Sequence, residues 1–475
     1  MHLAAQSANE DDRPKVTSTH MNVADQVSLR QRVIRAGLWS LAGFGLNYLI
    51  RFGSNLLMTR LLMPEMFGLM SIATTVMIGL TMFSDVGLKQ FIVQHSRGNE
   101  SAYLNTAWIV QILRGVLLWF LAVCLSLMIA VLARNGVFSQ QSVYASPSLP
   151  PVIAVLSLSA VVSGFASTKL LEASRGLSLG SVTQIEIAAQ FVGLISMILL
   201  SLVDRSVWVL VVGSLCSNLA RAILSHLWLP GIANRWEWNS SAAREIVRVG
   251  KWIFVASILG FLVNSGDQLL LAGLVDSTTL GLYVVASLYV GSIDGVISKL
   301  MGDVSFPAFS EVVRERRGDL RRSYYQFHRI IAIIAYGSSG FLMAFGHSLI
   351  GLLYDPRYAA AGYMLQITAA ILLTVPFRLA TQTFLALGRP EIQSHVVSIR
   401  LASLVLFAPL GFHFYGLTGA LVGIVFSHFS YIPLIVSYNL KHQLFDIRRE
   451  LALVIVAPAG YAVGILCTIG LTNLR

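Results

Sequence analysis

Five arginines fall inside long apolar stretches of the sequence, where a charged side chain is costly. They are Arg51, Arg114, Arg221, Arg378 and Arg400. An arginine near the centre of a bilayer costs at least about 2.5 kcal/mol on insertion scales, so each should face a hydrated cavity or a partner. Because a guanidinium donates two parallel hydrogen bonds to an anion such as phosphate, we expect these residues to line an anion-binding cavity. The alternatives are snorkelling near a helix end and pairing with an internal acid.

Four acidic residues occupy similar stretches: Asp85, Glu186, Asp267 and Asp294. A carboxylate that is titrated, or that binds an ion, in only one conformation can couple uphill transport to a proton or sodium gradient. This makes Asp267, Asp294 and Asp85 candidates for ion coupling, with a structural ion pair as the alternative. His347 and His428 could also titrate near neutral pH, although lone histidines in such helices more often serve packing.

The composition indicates whether these residues lie in a water-soluble protein or in a membrane protein. Of 475 residues, 55% are hydrophobic and 12% charged, whereas soluble domains carry about 25% charged residues. The chain is therefore expected to lie in a bilayer. Its net charge of +11 is spread over short connections, which argues against nucleic-acid binding. Cys124, Cys216 and Cys467 lack metal-ligand or CxxC spacing, so neither a disulfide framework nor a zinc site is expected.

Thirteen apolar segments are long enough to span a membrane as helices, which need about 20 residues each. They lie near 36–60, 66–93, 105–133, 150–173, 180–203, 206–229, 248–273, 279–302, 326–353, 360–387, 392–413, 416–439 and 451–471. Their length and the lack of period-2 alternation favour helices over the shorter strands of a membrane barrel. The sequence therefore predicts an all-α polytopic membrane protein.

The basic residues predict its orientation, because Lys and Arg in short connections stay on the cytosolic side. Alternate connections divide these residues twenty to five. The sparse side holds only Arg60, Arg134, Arg205, Arg357 and Arg475. This asymmetry predicts a cytosolic amino terminus.

A polar link, 230–247, divides the chain near its middle. We expect a cytosolic disordered tail at 1–33, a six-helix lobe at 34–229, a second six-helix lobe at 248–440 and an extra helix at 441–475. Two lobes with substrate held between them are a common transporter plan.

The two lobes begin with similar amino-acid sequences. LLMTRLLMPEMFGLMSIATTVMIGL from Leu56 aligns with LLLAGLVDSTTLGLYVVASLYVGSI from Leu269, which places Gly68 on Gly281. Lobes of equal helix number and orientation imply a parallel repeat about an axis along the membrane normal. Chance similarity between Leu-rich segments is the alternative.

The same residues resemble a known family. RFGSNLLMTRLLMPEMFGLMSIATTVMIGLTMFSDVGLKQFIV (51–93) and VNSGDQLLLAGLVDSTTLGLYVVASLYV (263–290) resemble bacterial polysaccharide transporters, the Wzx-type flippases of the multidrug/oligosaccharidyl-lipid/polysaccharide exporter superfamily. FLALGRPEIQSH (384–395) and FYGLTGALVGIVFSH (414–428) support the resemblance. The thirteenth segment departs from the family's twelve-helix plan.

The resemblance implies a function. Family members carry undecaprenyl-pyrophosphate-linked oligosaccharide units to the outer leaflet of the bacterial inner membrane, for exopolysaccharide or O-antigen synthesis. The arginines would then line a pyrophosphate cavity between the lobes. Asp267, within SGDQLLL, becomes the first ion-coupling candidate. Membrane lipids, a proton or sodium ion, and the polymerase and glycosyltransferases of the pathway are the expected partners, without a cofactor.

Two other functions stay open from the sequence. A multidrug exporter of the same superfamily would share the fold, although the intramembrane arginines suit an anionic substrate better than a cationic drug. A membrane glycosyl polymerase would need catalytic residues in a sizeable external loop, whereas 134–149, the longest loop expected outside, contains no acid or histidine. We find no Walker or HExxH motif, so an enzyme is not expected.

Overall fold

The structure, a computed structural model, describes residues 45–84, 97–175 and 179–473, together with positions 43, 88 and 92. The predicted tail 1–33 and Asp85 lie outside these residues. Within the described ranges the regular elements are helices, with no strand. The prediction of an all-α polytopic membrane protein is confirmed.

The lengths of the helices before the polar link depend on where proline, glycine and polar residues interrupt the apolar stretches of the sequence. They are α1 (45–61), α2 (Pro64–Phe83), α3 (Ser101–Arg134), α4 (Leu149–Leu156), α5 (Leu158–Gly164), α6 (Lys169–Arg175), α7 (Leu179–Ser201) and α8 (Trp208–Leu227). Pro64 begins α2, since the first helical position needs no N–H donor.

The helices from residue 240 onward are interrupted by the same types of residue. They are α9 (Ser240–Leu274), α10 (Ser277–Leu300), α11 (Phe306–Glu315), α12 (Leu320–Leu353), α13 (Ala359–Thr368), α14 (Val375–Ala386), α15 (Glu391–Phe429), α16 (Ile432–Lys441), α17 (Ile447–Val454) and α18 (Val456–Asn473). Side-chain caps begin three of them: Asn239 accepts from Ser241 and Ala242 at α9, Asp276 accepts from Thr279 at α10, and Asp446 accepts from Arg449 at α17.

Nine helical stretches of the described residues are long and apolar enough to cross a membrane, or ten if the bent pair Leu149–Gly164 and Lys169–Arg175 forms one span. One of the nine, Glu391–Lys441, contains a reversal. There α15 has non-helical backbone at Tyr415 and a positive φ of 57° at Gly416, a conformation that glycine adopts without steric cost. The reversal coincides with the boundary predicted between 392–413 and 416–439. The count of thirteen spans stays a prediction.

One end of the helix bundle is closed by interlocking connections, and we call it the locked end. It contains the turn at 62–63, the loop 135–148, the turn at 275–276 and the connection 354–358. Buried contacts join these segments across the two halves of the chain. The bundle is therefore closed at this end.

The contacts at the locked end are reciprocal. Tyr358 donates to the carbonyl oxygen of Leu62 at 2.9 Å, and the N–H of Val143 donates to that of Val275 at 3.1 Å. Leu62 and Val275 are equivalent in the alignment that places Gly68 on Gly281. Each half thus accepts a hydrogen bond at the same repeat position.

The glycines of the repeat bring α2 and α10 into backbone contact. A methyl group added to Gly68 would overlap the carbonyl oxygen of Ser277, and one added to Gly281 would overlap that of Pro64. Ser277 and Pro64 are themselves equivalent in the repeat alignment. This exchange of contacts is what a two-fold axis between α2 and α10 produces, and it supports the predicted repeat.

The last helix, α18, packs against α12 through small residues. Gly340 lies against the backbone of Ala457, and Gly460 lies against that of Gly337, the close approach that small residues allow between membrane helices. Most of the remaining surface of α18 is apolar and exposed, with Leu466 as an example. The fold therefore places α18 at the edge of the bundle.

Candidate functional site

A cavity of about 310 Å³ lies between the two halves of the chain, and Arg51 lines it. Residues of α1, α2, α7 and α8 form one side, and residues of α9 and α10 form the other. Its polar lining consists of Arg51, Ser54, Asn55, Gln268 and Ser287. No acidic side chain lines it among the described residues. The cavity therefore offers a cation and neutral hydrogen-bonding groups, which suits an anion.

The position of Arg51 along α1 gives its approximate depth. It lies ten residues before Leu61, the last residue of α1, which corresponds to about 15 Å along the helix. A hydrocarbon core is about 30 Å thick. Arg51 therefore lies at about half that thickness from the end of α1, on the inner side of the locked end.

Aromatic side chains fill the space between Arg51 and the locked end. Phe52 contacts Tyr289 with ring centroids 5.2 Å apart, Tyr289 contacts Tyr354, and Tyr354 contacts Tyr358. Tyr358 in turn meets Phe67. The three tyrosines are buried. This layer combines two residues of the first half with three of the second, and two of its tyrosines belong to the connection 354–358 of the locked end.

A polar contact beside the cavity also joins the halves. Ser71 and Thr75 of α2 both donate to the side-chain oxygen of Gln268 on α9, at 3.2 and 2.9 Å. Sequence reasoning missed Gln268, although extending the repeat alignment by one residue before Leu56 and Leu269 places Gln268 on Asn55, and both line the cavity. The repeat was thus a usable signal for it.

Charged groups also stabilise the locked end itself. Arg357 donates to Asp355 at 2.8 Å and to the carbonyl oxygen of Arg60 at 3.2 Å, while Arg60 donates to that of Leu353. The hydrogen bond from Arg357 lowers the pKa of the partly exposed Asp355 carboxyl. From the sequence, Arg60 and Arg357 indicate only the orientation of the chain in the membrane. The structure also brings the two residues together.

Arg114 and Arg221 line a different cavity, of about 500 Å³, within the first half. Arg114 donates to Ser84 at 2.9 Å and to the carbonyl oxygen of Thr81 at 2.6 Å. It thereby caps the last turn of α2, a position where cations are favoured. Arg221 lies 3.7 Å from Glu186.

Arg378 and Arg400 lie in the second half, in a third group. Arg378 forms an ion pair with Asp294 and donates to Ser298 at 3.3 Å. Arg400 donates to Nε2 of His428 at 2.9 Å. Since arginine cannot accept a hydrogen bond, His428 is the acceptor and is neutral. The five arginines are therefore distributed over three places and do not converge on one cavity.

Asp267 is tied to its own half of the chain. It accepts a hydrogen bond of 2.5 Å from Tyr283 on α10, and it is a charged neighbour of Arg400. The helices α9, α10 and α15 bring these groups together. Asp294 is likewise paired within the second half, and Asp85 lies outside the described residues. Among the described residues, no group of three or more His, Cys, Asp and Glu side chains is arranged to hold a metal ion.

Solved structures share this architecture. The chain superposes on lipid II flippase MurJ in an inward closed conformation with a TM-score of 0.68, at 11% identity, over 91% of this chain and 92% of that one. It also superposes on an inward-facing multidrug resistance MATE family transporter of the MOP superfamily with a TM-score of 0.59, at 15% identity, over 90% and 96%. At these identities the likeness shows the fold.

Curated relatives share part of the sequence. The lipopolysaccharide biosynthesis protein WzxC of Escherichia coli (strain K12) is 21% identical over 360 residues, which cover 73% of this chain and 68% of WzxC. An uncharacterized membrane protein in the cps region of Klebsiella pneumoniae is 21% identical over 316 residues, 65% of this chain and 61% of the relative.

A family model also matches, and it covers α2, the polar link and the first helices of the second half. The match extends over residues 57–361, more than half of the chain, and includes Gly68, Gln268 and Gly281. The chain belongs to the polysaccharide biosynthesis protein family of multi-pass membrane proteins.

Proposed function

We propose that this protein is a flippase for oligosaccharide units linked to undecaprenyl pyrophosphate, serving exopolysaccharide or O-antigen synthesis. The observation that carries the proposal is Arg51, a cation about 15 Å along α1 from the locked end, in a cavity shared by both halves. An anionic head group cannot cross hydrocarbon alone, whereas this cavity gives it a charge partner. Membership of the polysaccharide biosynthesis family supports the assignment.

The mechanism we propose is alternating access between two lobes, 34–229 and 248–440, joined by the link 230–247. In the observed state the locked end excludes the substrate from one side, so the head group reaches Arg51 from the opposite side. Rocking of the lobes would break the contacts between Tyr358 and Leu62 and open the locked end.

The orientation we propose places the locked end outside and the amino terminus in the cytosol of a bacterial inner membrane. It rests on the distribution of Lys and Arg over the connections. A cysteine placed in the loop 135–148 should react with an impermeant thiol reagent in intact cells, and one in the link should not. Reaction of the link cysteine alone would contradict this orientation.

The function is tested with purified protein in vesicles that contain a fluorescent undecaprenyl-pyrophosphate oligosaccharide in one leaflet. We expect the protein to move the lipid to the other leaflet and to leave lipophilic cationic drugs where they are. Transport of the drugs without the lipid would identify a multidrug exporter, the alternative that the MATE-like fold leaves open. Elongation of the glycan without movement would identify a polymerase.

We predict that Asp267 couples transport to a proton or sodium gradient. Asp267→Asn keeps an acceptor for Tyr283 but removes the titratable charge near Arg400. In vesicles, transport should fall, and its acceleration by an imposed gradient should be lost. Tyr283→Phe is the matched control, since it removes the hydrogen bond and keeps the carboxylate. The gradient response should persist in Tyr283→Phe. If Asp267→Asn retains the response, the coupling role is wrong, and Asp294 and Asp85 are tested next.

A further inference from the structure

The segment 228–239, which leads from α8 to α9, is fixed against the first half, and we call it the tryptophan strap. Its Asn234 accepts hydrogen bonds from the hydroxyl of Ser167 at 2.8 Å and the N–H of Thr168 at 3.2 Å. The N–H of Arg235 donates to Asn105 at 3.0 Å. Groups at the start of α3 and just before α6 thus hold the strap through the side chain of Asn234 and the N–H of Arg235.

Further contacts extend along the strap. The N–H of Ile232 donates to Glu172 at 3.3 Å, Asn105 donates to Glu237 at 2.9 Å, and the N–H of Asn239 donates to Thr106 at 3.0 Å. Asn105 and Thr106 are buried. The polar groups of the strap form hydrogen bonds with the first half at several points. A fixed set of side chains therefore remains on the outer surface of the strap.

That outer face is aromatic. Trp228, Trp236 and Trp238 are 55%, 69% and 51% exposed, and Ile232 accompanies them. The ring of Trp236 rests against the buried Trp108, with centroids 5.0 Å apart. Apolar patches of this kind are rarely left in water and mark an interaction surface.

The lipid-facing surface of α8 continues into this face. Leu219, Ile223 and Leu227 are exposed at intervals of four residues, so they lie on one side of the helix. This side of α8, a candidate membrane span, runs directly into Trp228. The continuity indicates the same neighbour for both surfaces, the lipid bilayer.

We propose that the tryptophan strap binds the lipid head-group layer of the membrane, with its three exposed tryptophans embedded in the interface. Indole rings favour this layer because they combine an apolar body with one N–H donor. Arg235, exposed beside them, suits lipid phosphates. Under the orientation proposed above, the layer belongs to the cytosolic leaflet; the interface itself does not depend on that orientation.

The test measures which solvent surrounds residues 236 and 238. Trp236→Cys and Trp238→Cys are made singly after replacing Cys124, Cys216 and Cys467 with alanine, and each is labelled with bimane. The full chain is reconstituted in phosphatidylethanolamine and phosphatidylglycerol vesicles. Lipids brominated near the top of their acyl chains should quench both labels, and iodide should quench them about threefold less than a water-exposed label.

Two further positions provide the references for this experiment. Gln140→Cys, in the exposed loop between α3 and α4, reports water, and Ile223→Cys, on the exposed side of α8, reports lipid. Iodide quenching at 236 and 238 equal to that at 140 would overturn the proposal. Protection from iodide without quenching by brominated lipid would also overturn it and would indicate a protein partner. Because both leaflets contain brominated lipid, the result is independent of orientation and transport.

Discussion

Arg51→Ala is expected to reduce transport of the lipid-linked oligosaccharide by at least about tenfold at normal protein levels. A hydrogen bond to a charged group contributes about 1.5–3 kcal/mol, and each 1.4 kcal/mol corresponds to about tenfold in affinity. Among the described residues, Arg51 is the only charged side chain that lines the cavity between the halves. Arg51→Lys should restore part of the activity, since the charge returns without the bidentate geometry. The vesicle assay described above measures both variants.

The matched control for Arg51 is an arginine outside the cavity. Arg205 is exposed in the connection between α7 and α8, and Arg205→Ala should transport at the wild-type rate. Head-group binding provides an independent measurement, because loss of the cation should weaken binding of undecaprenyl pyrophosphate even where transport is limited by another step. If Arg51→Ala transports the lipid at the wild-type rate, Arg51 has only a structural role. The proposed function would then be tested by the transport activity of the wild-type protein alone.

Arg51 also illustrates what the sequence could predict. A charge in the middle of an apolar segment must meet water, a ligand or a partner, so its presence in a cavity follows from solvation alone. The same reasoning predicts the helices, because a backbone in hydrocarbon must satisfy its own hydrogen bonds. The reversal in α15 follows from the small, conformationally free Gly416 between two apolar segments.

The partners of the other arginines could not be predicted in this way. Arg378 pairs with Asp294 on a helix 84 residues away in sequence, and Arg400 pairs with His428 across the reversal of α15. Which helices are neighbours, and how each is rotated, depends on the packing of the whole bundle. Solvation demands a partner for each charge but does not select one. The sequence therefore grouped five arginines in a single cavity, whereas the structure places them in three environments.

The repeat gave more information than its short text suggests. The alignment predicts that Gly68 and Gly281 are equivalent, but equivalence alone does not require contact. The contact arises because α2 and α10 both begin at the locked end and cross close to the axis between the halves, where the backbones exclude any side chain. The glycines are thus needed wherever the two equivalent helices meet.

Gly281→Val is expected to prevent closure of the locked end and to lower transport by about tenfold or more. Its side chain would overlap the backbone of Pro64, which cannot move unless α2 shifts, and overpacking of this kind costs about 1–3 kcal/mol. The penalty applies only to the closed state, so the equilibrium moves toward a state open at this end. A cysteine at Leu62, buried in the observed state, should then react faster with an impermeant thiol reagent.

Gly291→Val separates this effect from the general cost of a β-branched residue in the same helix. Gly291 also lies in α10, but no atom lies within 4 Å of the position a β-carbon would take. It should therefore transport normally and leave the cysteine at 62 protected. Gly281→Ala, whose smaller side chain still meets Pro64, should give an intermediate labelling rate, which rules out simple misfolding as the cause. If Gly281→Val and Gly291→Val label and transport alike, the contact between α2 and α10 does not control access to the cavity.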